Sequence, residues 1–291
     1  MRAAAIRAQR RRRAQQTGWN LLGIAVLVVM VFPVYWMVST AFKQDADINS
    51  LTPTWFPTDA TLSHFREAIA GDDHPFFWNA VENSLIVVGV TVGLSMLLAF
   101  LAAIALAKYR FSGRKMFVAL IIAIQMLPQI GLVIPLFVVL RNYGLTANDV
   151  VLFGLILTYL TFVLPFAVWT LRGFLLGIPR ELEEAAMVDG SSRLGAFFRI
   201  LLPLVAPGLV ATSVFVFITA WNEYIFANVL LLDQRKQTVT VWLSYFTGSS
   251  RHTDWGALMA ASTVIAVPVM IFFLLVQRKM RFGLTAGAVK G

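Results

Sequence analysis

The sequence predicts an all-α membrane protein with six transmembrane helices, and three observations carry that reading. The chain is 58% hydrophobic and only 13% charged, with a mean hydropathy of +0.75; an ordinary soluble domain is roughly 45–50% apolar and about 25% charged. It contains six apolar runs, each long enough for a span of ~20 residues. Eighteen of its 24 lysines and arginines precede the first run, follow the last, or fall in alternate loops. That asymmetry places both termini on the cytoplasmic side. The net charge of +9 comes without any aromatic-interleaved basic patch, so it marks loops, and no nucleic-acid partner is expected. With no cysteine, disulfides and thiolate metal sites are excluded.

Arg2, Arg7 and Arg10 to Arg13 open a basic N-terminus, residues 1–17, ahead of an apolar run from about Trp19 to Phe42. That run exceeds the ~7–15 residues of a signal peptide's apolar core and is read as a retained first span. Residues 43–80 are polar, acidic and broken by Pro53, Pro57 and Pro75, an external loop with a short helix near Leu62–Ile69. A second span runs from about Asn83 to Ala107, ended by Lys108, Arg110, Arg114 and Lys115. The third, about Met116 to Leu140, carries Gln125, Pro128, Gln129 and Pro135; its prolines predict kinks, which membranes tolerate where a cavity or neighbour satisfies the freed carbonyls. The fourth spans about Val150 to Leu171, the fifth about Leu204 to Leu232 and the sixth about Gly256 to Val276. Between the last two, residues 233–255 read as an external loop with Trp242 and Trp255 as interfacial anchors. The domain plan is therefore a six-span transmembrane body over 18–276, a cytoplasmic loop at 172–203 and a C-terminal tail over 277–291.

The loop at 172–203 is a polar, helix-forming island. Pro179 suits the first position of a helix, and Glu181, Glu183 and Glu184 suit the positive end of its dipole. Leu182, Ala185 and Ala186 share one helical face, Glu181 and Glu184 another. Gly190 permits a left-handed break, and Ser191 or Ser192 can cap a second helix with Leu194, Phe197, Phe198 and Leu201 as its apolar stripe. Two short helices meeting at a glycine elbow could lie along a membrane surface and offer the outer side to a soluble partner.

No catalytic set is visible. There is no G-x-x-x-x-G-K-[ST] phosphate loop. His64, His74 and His252 lie in external loops without metal-ligand spacing, so no catalytic residue, metal or cofactor is expected on this chain. The costliest polar cluster is Trp221-Asn222-Glu223-Tyr224, inside the fifth span. An ionisable residue there usually faces a cavity or a partner, while a structural hydrogen bond between helices is the equal alternative. Gln125 and Gln129 sit one turn apart and share a face, for the same cavity or for packing. Gln125, Gln129, Asn222, Glu223 and Tyr224 are the candidates for a translocation path.

The spacing Glu184-Ala185-Ala186, three residues, Gly190, nine residues, then Ile200-x-Leu202-Pro203 resembles the signature loop of permease subunits of ABC importers. Asn83-Ser84-Leu85, Met126-Leu127-Pro128, Pro165-Phe166-Ala167-Val168-Trp169, Ile178-Pro179-Arg180-Glu181 and Trp221-Asn222-Glu223-Tyr224 are similar to carbohydrate-type members. The ending Gly283 to Gly291 is similar to the second permease subunit of maltose-type importers. The resemblance implies an ABC importer permease fold with a cytoplasmic coupling helix, in which Glu184, Ala185, Ala186, Asp189 and Gly190 dock into an ATP-hydrolysing subunit. It implies a heterodimer with a second permease subunit, two ATPase subunits carrying ATP and Mg, and an extracellular or periplasmic sugar-binding protein. It also implies a tail reaching toward the ATPase dimer and a place in the plasma (inner) membrane of a prokaryote, among membrane lipid. The cargo class implied is a sugar, a di- or oligosaccharide, with glycerol 3-phosphate or another polyol as the alternative. Two rivals remain from the residues alone. An ion-coupled secondary transporter would use Glu223 as its ion site; a membrane-embedded enzyme would need paired carboxylates that the spans lack.

Overall fold

A computed structural model describes residues 2–71, 76–247 and 253–286, with side chains within 15–71, 76–247 and 253–277. The described residues form helices and connecting turns, with no strand among them. Five helices are long and apolar enough to cross a membrane: α1 (Arg2–Ala41, apolar from Gln15), α4 (Phe77–Lys108), α7 (Val151–Leu176), α10 (Leu202–Trp221, reached from Arg193) and α13 (Trp255–Ala286, apolar to Gln277). A sixth crossing exists if α5 (Arg114–Gln125) and the segment Gln129–Asn142, which includes α6 (Val133–Asn142), count together, although they meet at 98°.

The chain divides into two compact units, residues 1–72 with 246–264 and residues 73–245 with 265–291. In the first, α1 ends beside α2 (Asp45–Ile48) and α3 (Ser63–Ala70). Thr61 N–H donates to the Phe42 carbonyl at 2.9 Å, and the Phe42 and Phe65 rings lie 4.9 Å apart. From Trp19 to Phe32 the large apolar side chains of α1 are exposed, the pattern of a helix whose solvent is lipid rather than protein.

In the second unit α4, α7 and α10 pack on one another. Buried Ser84, Val88, Thr91, Ser95, Ala99 and Ala103 recur at three- and four-residue intervals along α4. Small residues in that register let backbones approach closely, which is how helices associate without a hydrophobic drive between them. Gly208 of α10 shows the same demand: a Cβ there would come within 2.5 Å of the Phe174 ring of α7.

Four expectations from the sequence are corrected. The third span is broken rather than kinked, because Pro128 has no N–H and pushes Leu127 out of helical geometry; Pro135 lies in the first turn of α6, where proline is harmless. The fifth helix stops at Trp221, and a separate short helix α11 (Ile225–Leu230) follows. Trp242, on α12 (Val239–Ser244), is not an interfacial anchor; it is 2% exposed and packs edge-on against Phe77 at 5.1 Å. The first and last helices outrun the spans read from hydropathy, starting at Arg2 and continuing to Ala286. Tail residues 287–291, with His74 and His252, lie outside the described residues.

Candidate functional site

The elbow forms as two short helices. α8 (Glu181–Val188) begins two positions after Pro179, with Arg180 between them as its cap residue, so the proline precedes the helix instead of opening it. The Arg180 carbonyl takes the N–H groups of Glu183 and Glu184 at 3.0 and 3.1 Å. Gly190 adopts φ +90°. Its N–H donates to the Met187 carbonyl at 3.1 Å, and Ser191 N–H to Ala186 at 2.9 Å, which closes the end of α8. Ser192, not Ser191, caps α9 (Arg193–Ala196), its hydroxyl accepting from Gly195 N–H at 3.1 Å.

The faces differ from the sequence expectation. Only Ala186 of α8 is buried, and the half-buried Glu183 turns inward to pair with Lys108. Leu182 and Ala185 therefore stand out with Glu181 and Glu184. Across the elbow the expected apolar stripe is split: Leu201 is buried and Leu194 and Phe198 are exposed. The cause is a π-helical turn over Phe197–Leu201, in which Leu202 N–H reaches back to the Phe197 carbonyl. Pro203 cannot donate to Arg199, and the widened turn accommodates the missing bond. The outer surface of the elbow thus combines Glu181, Glu184 and Asp189 with Val188, which is 86% exposed, and Leu194.

Behind that surface the elbow is tied to the end of α4. Besides the Lys108–Glu183 pair, the Arg180 guanidinium donates to the Lys108 carbonyl at 3.0 Å. Lys108 also sits in the last turn of α4, where a cation offsets the negative end of the helix dipole. Phe197 and Phe100 rings lie 5.9 Å apart one layer deeper.

The five path candidates come together, though not by the route expected. The break at Met126–Pro128 removes the shared helical face of Gln125 and Gln129, yet both line one cleft of about 180 Å³. Gln129 also lines an adjoining cleft of about 340 Å³ with Asn222, Glu223 and Tyr224. Phe162 and Thr219 are common to the two. The sequence reading missed Tyr159, Phe162, Phe166 and Phe215 in these walls, because aromatic residues at helical spacing are indistinguishable from core. Phe166 and Phe215 stack at 3.7 Å.

The quartet at 221–224 is the break between two helices, so its polar cost is met by helix ends. Asn222 donates to the Ile218 carbonyl at 2.9 Å at the end of α10. Both carboxylate oxygens of Glu223 accept from the start of α11, Phe226 N–H at 2.8 Å and Ala227 N–H at 3.1 Å. The Glu223 carbonyl takes the Thr240 hydroxyl at 2.7 Å. A carboxylate so engaged caps the start of α11, which gives it a structural role whatever else it meets. Asn83 donates to the carbonyls of Arg235 and Gln237 at 2.9 and 3.0 Å, and Ser84 accepts from Val239 N–H at 2.8 Å. These bonds pin the 233–245 segment to α4.

The comparisons with known proteins bear on the same elements. Residues 84–286 match the family model described as the binding-protein-dependent transport system inner membrane component. The chain belongs to this family. It is a transporter permease, not a catalytic protein. The permease is 45% identical over 272 residues to the diacetylchitobiose uptake system permease protein DasC of Streptomyces coelicolor, covering 94% of this chain and 96% of that one. It is 37% identical to the trehalose transport system permease protein SugB of Mycobacterium tuberculosis, covering 94% and 98%. Its fold matches a crystal structure of a bacterial ABC transporter involved in the import of the acidic polysaccharide alginate, with a TM-score of 0.72, 24% identity and coverage of 92% and 96%.

Proposed function

We propose that this permease builds half of the translocation path of an ATP-driven importer for a di- or oligosaccharide, and couples that path to ATP hydrolysis on partner subunits. The observation that carries the reading is the elbow. It presents exposed acidic and apolar side chains outward and is fastened inward by Lys108, Glu183 and Arg180 to the end of a spanning helix. In this reading Glu184, Ala185, Ala186, Asp189 and Gly190 dock into an ATPase subunit that holds ATP and Mg. Gln125, Gln129, Asn222, Glu223 and Tyr224 line the path, facing a second permease subunit. An external sugar-binding protein delivers the cargo; the sugars named for the relatives, with trehalose, maltose and diacetylchitobiose among them, support the sugar class.

The orientation that the reading needs has both termini and residues 172–203 in the cytoplasm of a prokaryote, under the positive-inside asymmetry. The chain has no native cysteine, so single cysteines report cleanly. Val188→Cys and Thr247→Cys should label from opposite sides of the membrane, Val188→Cys from the cytoplasm. Labelling of both from outside removes the orientation and the docking together.

A further inference from the structure

The acidic loop after the first span contains a stretch of opposite character. Residues 50–58, Ser-Leu-Thr-Pro-Thr-Trp-Phe-Pro-Thr, carry no charge, with Asp45 and Asp47 before them and Asp59 after. Within the unit formed by residues 1–72 and 246–264, this stretch folds back on the last turns of α1. The Trp55 ring lies 6.1 Å from Phe32 and stands edge-on to Trp36 at 6.0 Å. The Phe56 ring stands edge-on to Tyr35 at 6.0 Å. The Trp55 carbonyl accepts from the Tyr35 hydroxyl and, at 3.3 Å, from the Ser39 hydroxyl. These contacts cover only part of each ring: Trp55 is 60% exposed and Phe56 71%, and Leu51 is fully exposed.

Exposed apolar side chains grouped in one short stretch mark an interaction surface, and the surroundings say with what. Phe32, which Trp55 touches, belongs to the row of exposed apolar residues along α1 whose solvent is lipid. The patch therefore continues a lipid-facing surface. Its depth follows from the helix. With Trp19 opening the apolar run, the 17 residues from there to Trp36 span about 26 Å at ~1.5 Å per residue. The hydrocarbon core is about 30 Å thick, so Trp36 and the rings around it stand where hydrocarbon gives way to headgroups. Two features fit that level. The Lys43 ammonium lies 4.0 Å from the Trp36 centroid, so charge and aromatic surface meet there. The described residues between α2 and α3 form no helix or strand, and irregular backbone facing lipid does not occur within the hydrocarbon itself. Tryptophan is enriched at this depth because its ring is apolar while its N–H can meet water or headgroups.

We propose that residues 50–58 form an interfacial anchor, with Leu51, Trp55 and Phe56 seated at the headgroup–acyl boundary of the outer leaflet beside the end of the first span. The partner is the phospholipid surface itself. Such an anchor fixes the depth and tilt of α1 at the point where its exposed row gives way to buried Ser39, Thr40 and Ala41. The proposed function supplies only the choice of leaflet; the placement at a bilayer surface stands without it.

The test uses the assembled transport complex in phospholipid nanodiscs, with partner subunits free of cysteine. Leu51→Cys, Phe56→Cys and, as a control at an exposed acidic position, Asp59→Cys each carry the same NBD fluorophore. Size-exclusion of the complex checks assembly. Emission at 51 and 56 should shift to the blue relative to 59 and resist aqueous iodide. It should be lost to a phospholipid with its nitroxide next to the headgroup more than to one with its nitroxide at the chain end. Both lipids occupy both leaflets, so orientation does not enter. Iodide quenching at 51 and 56 equal to that at 59 overturns the proposal. Shielding from iodide and from both nitroxide lipids also overturns it, by assigning the patch to a protein partner. Stronger quenching from the chain end does so by placing the loop in the hydrocarbon. Trp55→Ser should raise iodide quenching of the Leu51→Cys label toward the control, while Trp55→Tyr should not; equal values in the two variants remove the anchoring role of the ring. Sugar uptake by the same preparations, with the binding protein added, separates the two readings. Uptake with a solvated loop removes the anchor and leaves the importer. A seated loop in a complex that takes up no sugar supports the anchor and counts against the cargo class.

Discussion

Gly190→Val tests the proposed coupling role of the elbow apart from the integrity of the spans. Gly190 has φ +90°, and a Cβ built there meets nothing within 4 Å. The penalty is therefore torsional and not steric. An L-residue in the left-handed region costs about 1–2 kcal/mol, and a β-branched side chain is a genuine outlier there. One to two kcal/mol is a factor of about 5–30 in an equilibrium, so the observed elbow is disfavoured by that factor against a rearranged turn. Rearrangement frees the Met187 and Ala186 carbonyls that now accept from Gly190 and Ser191. The assay measures, in one membrane preparation, the amount of inserted permease, the ATPase that co-purifies with it, and sugar uptake per ATP hydrolysed. Insertion should be unchanged, while co-purification or coupled uptake falls by about 5-fold or more. Gly190→Asn should retain most function, because asparagine tolerates this conformation. Normal uptake in Gly190→Val, or equal loss in Gly190→Asn, refutes the argument.

Three further outcomes follow from the same contacts. Glu183→Gln leaves the half-buried Lys108 without its counter-charge and should cost about 1–3 kcal/mol at the elbow–α4 junction, read as faster hydrogen exchange at 180–188; the exchange should recover in the swapped pair Lys108→Glu with Glu183→Lys, and unchanged exchange in Glu183→Gln discounts the tie. Glu223→Gln keeps one carbonyl acceptor for α11 and should leave substantial uptake that still needs an active ATPase and ignores collapse of the proton gradient; uptake by an ion gradient that Glu223→Gln destroys overturns the importer reading. The Asp233 carboxyl is held below the usual aspartate value, chiefly by the Arg235 N–H and then by the Asn148 amide at 3.0 Å. Its contribution is thus present above the unfolded aspartate pKa of about 3.9 and lost as pH falls through the lower folded value. The protection factor of the Arg235 amide, taken relative to its base-catalysed intrinsic rate, should be flat from pH 8 to 5 and fall only in more acid solution, and a fall near neutrality would contradict the assigned bond.

The spans were legible because lipid imposes a composition, and the elbow because Gly190, Ser192 and the first-turn glutamates are local signals. What stayed hidden depends on pairings distant in sequence. Glu183 reads as one more exposed acid until Lys108, 75 residues away, claims it and turns α8 on its axis. Trp242 reads as an interfacial residue until Phe77 covers it. Glu223 reads as an isolated intramembrane charge, because the apolar run resumes at Ile225 and hides the end of the helix at Trp221. His64 is a similar case. It is buried, its Nε2 lies 2.9 Å from the Lys43 carbonyl, and Asp45 and Asp254 bring carboxylate oxygens within 4.8 Å. A carbonyl only accepts, so Nε2 is the donor, and this ring nitrogen is engaged in joining α3 to the end of α1.

The order of contacts also bears on how closure of an ATPase could reach the path. The elbow holds α4 by a charge pair and a guanidinium–carbonyl bond rather than by apolar contact alone. Bonds of this kind fix direction as well as proximity, so a displacement of α8 along the membrane surface loads Lys108 at the end of α4. Along α4 the buried residues that meet its neighbours are mostly small, and close-packed interiors transmit strain instead of absorbing it. α7, which packs on α4, carries Tyr159 and Phe162 of the larger cleft and Phe162 and Phe166 of the smaller one. The break at Pro128 and the break at Asn222–Tyr224 border those clefts, and at both the continuous helical ladder is interrupted. In the proposed function the packed helices lead from the elbow to the path and the helix breaks border it, a distribution suited to alternating access driven from outside the membrane.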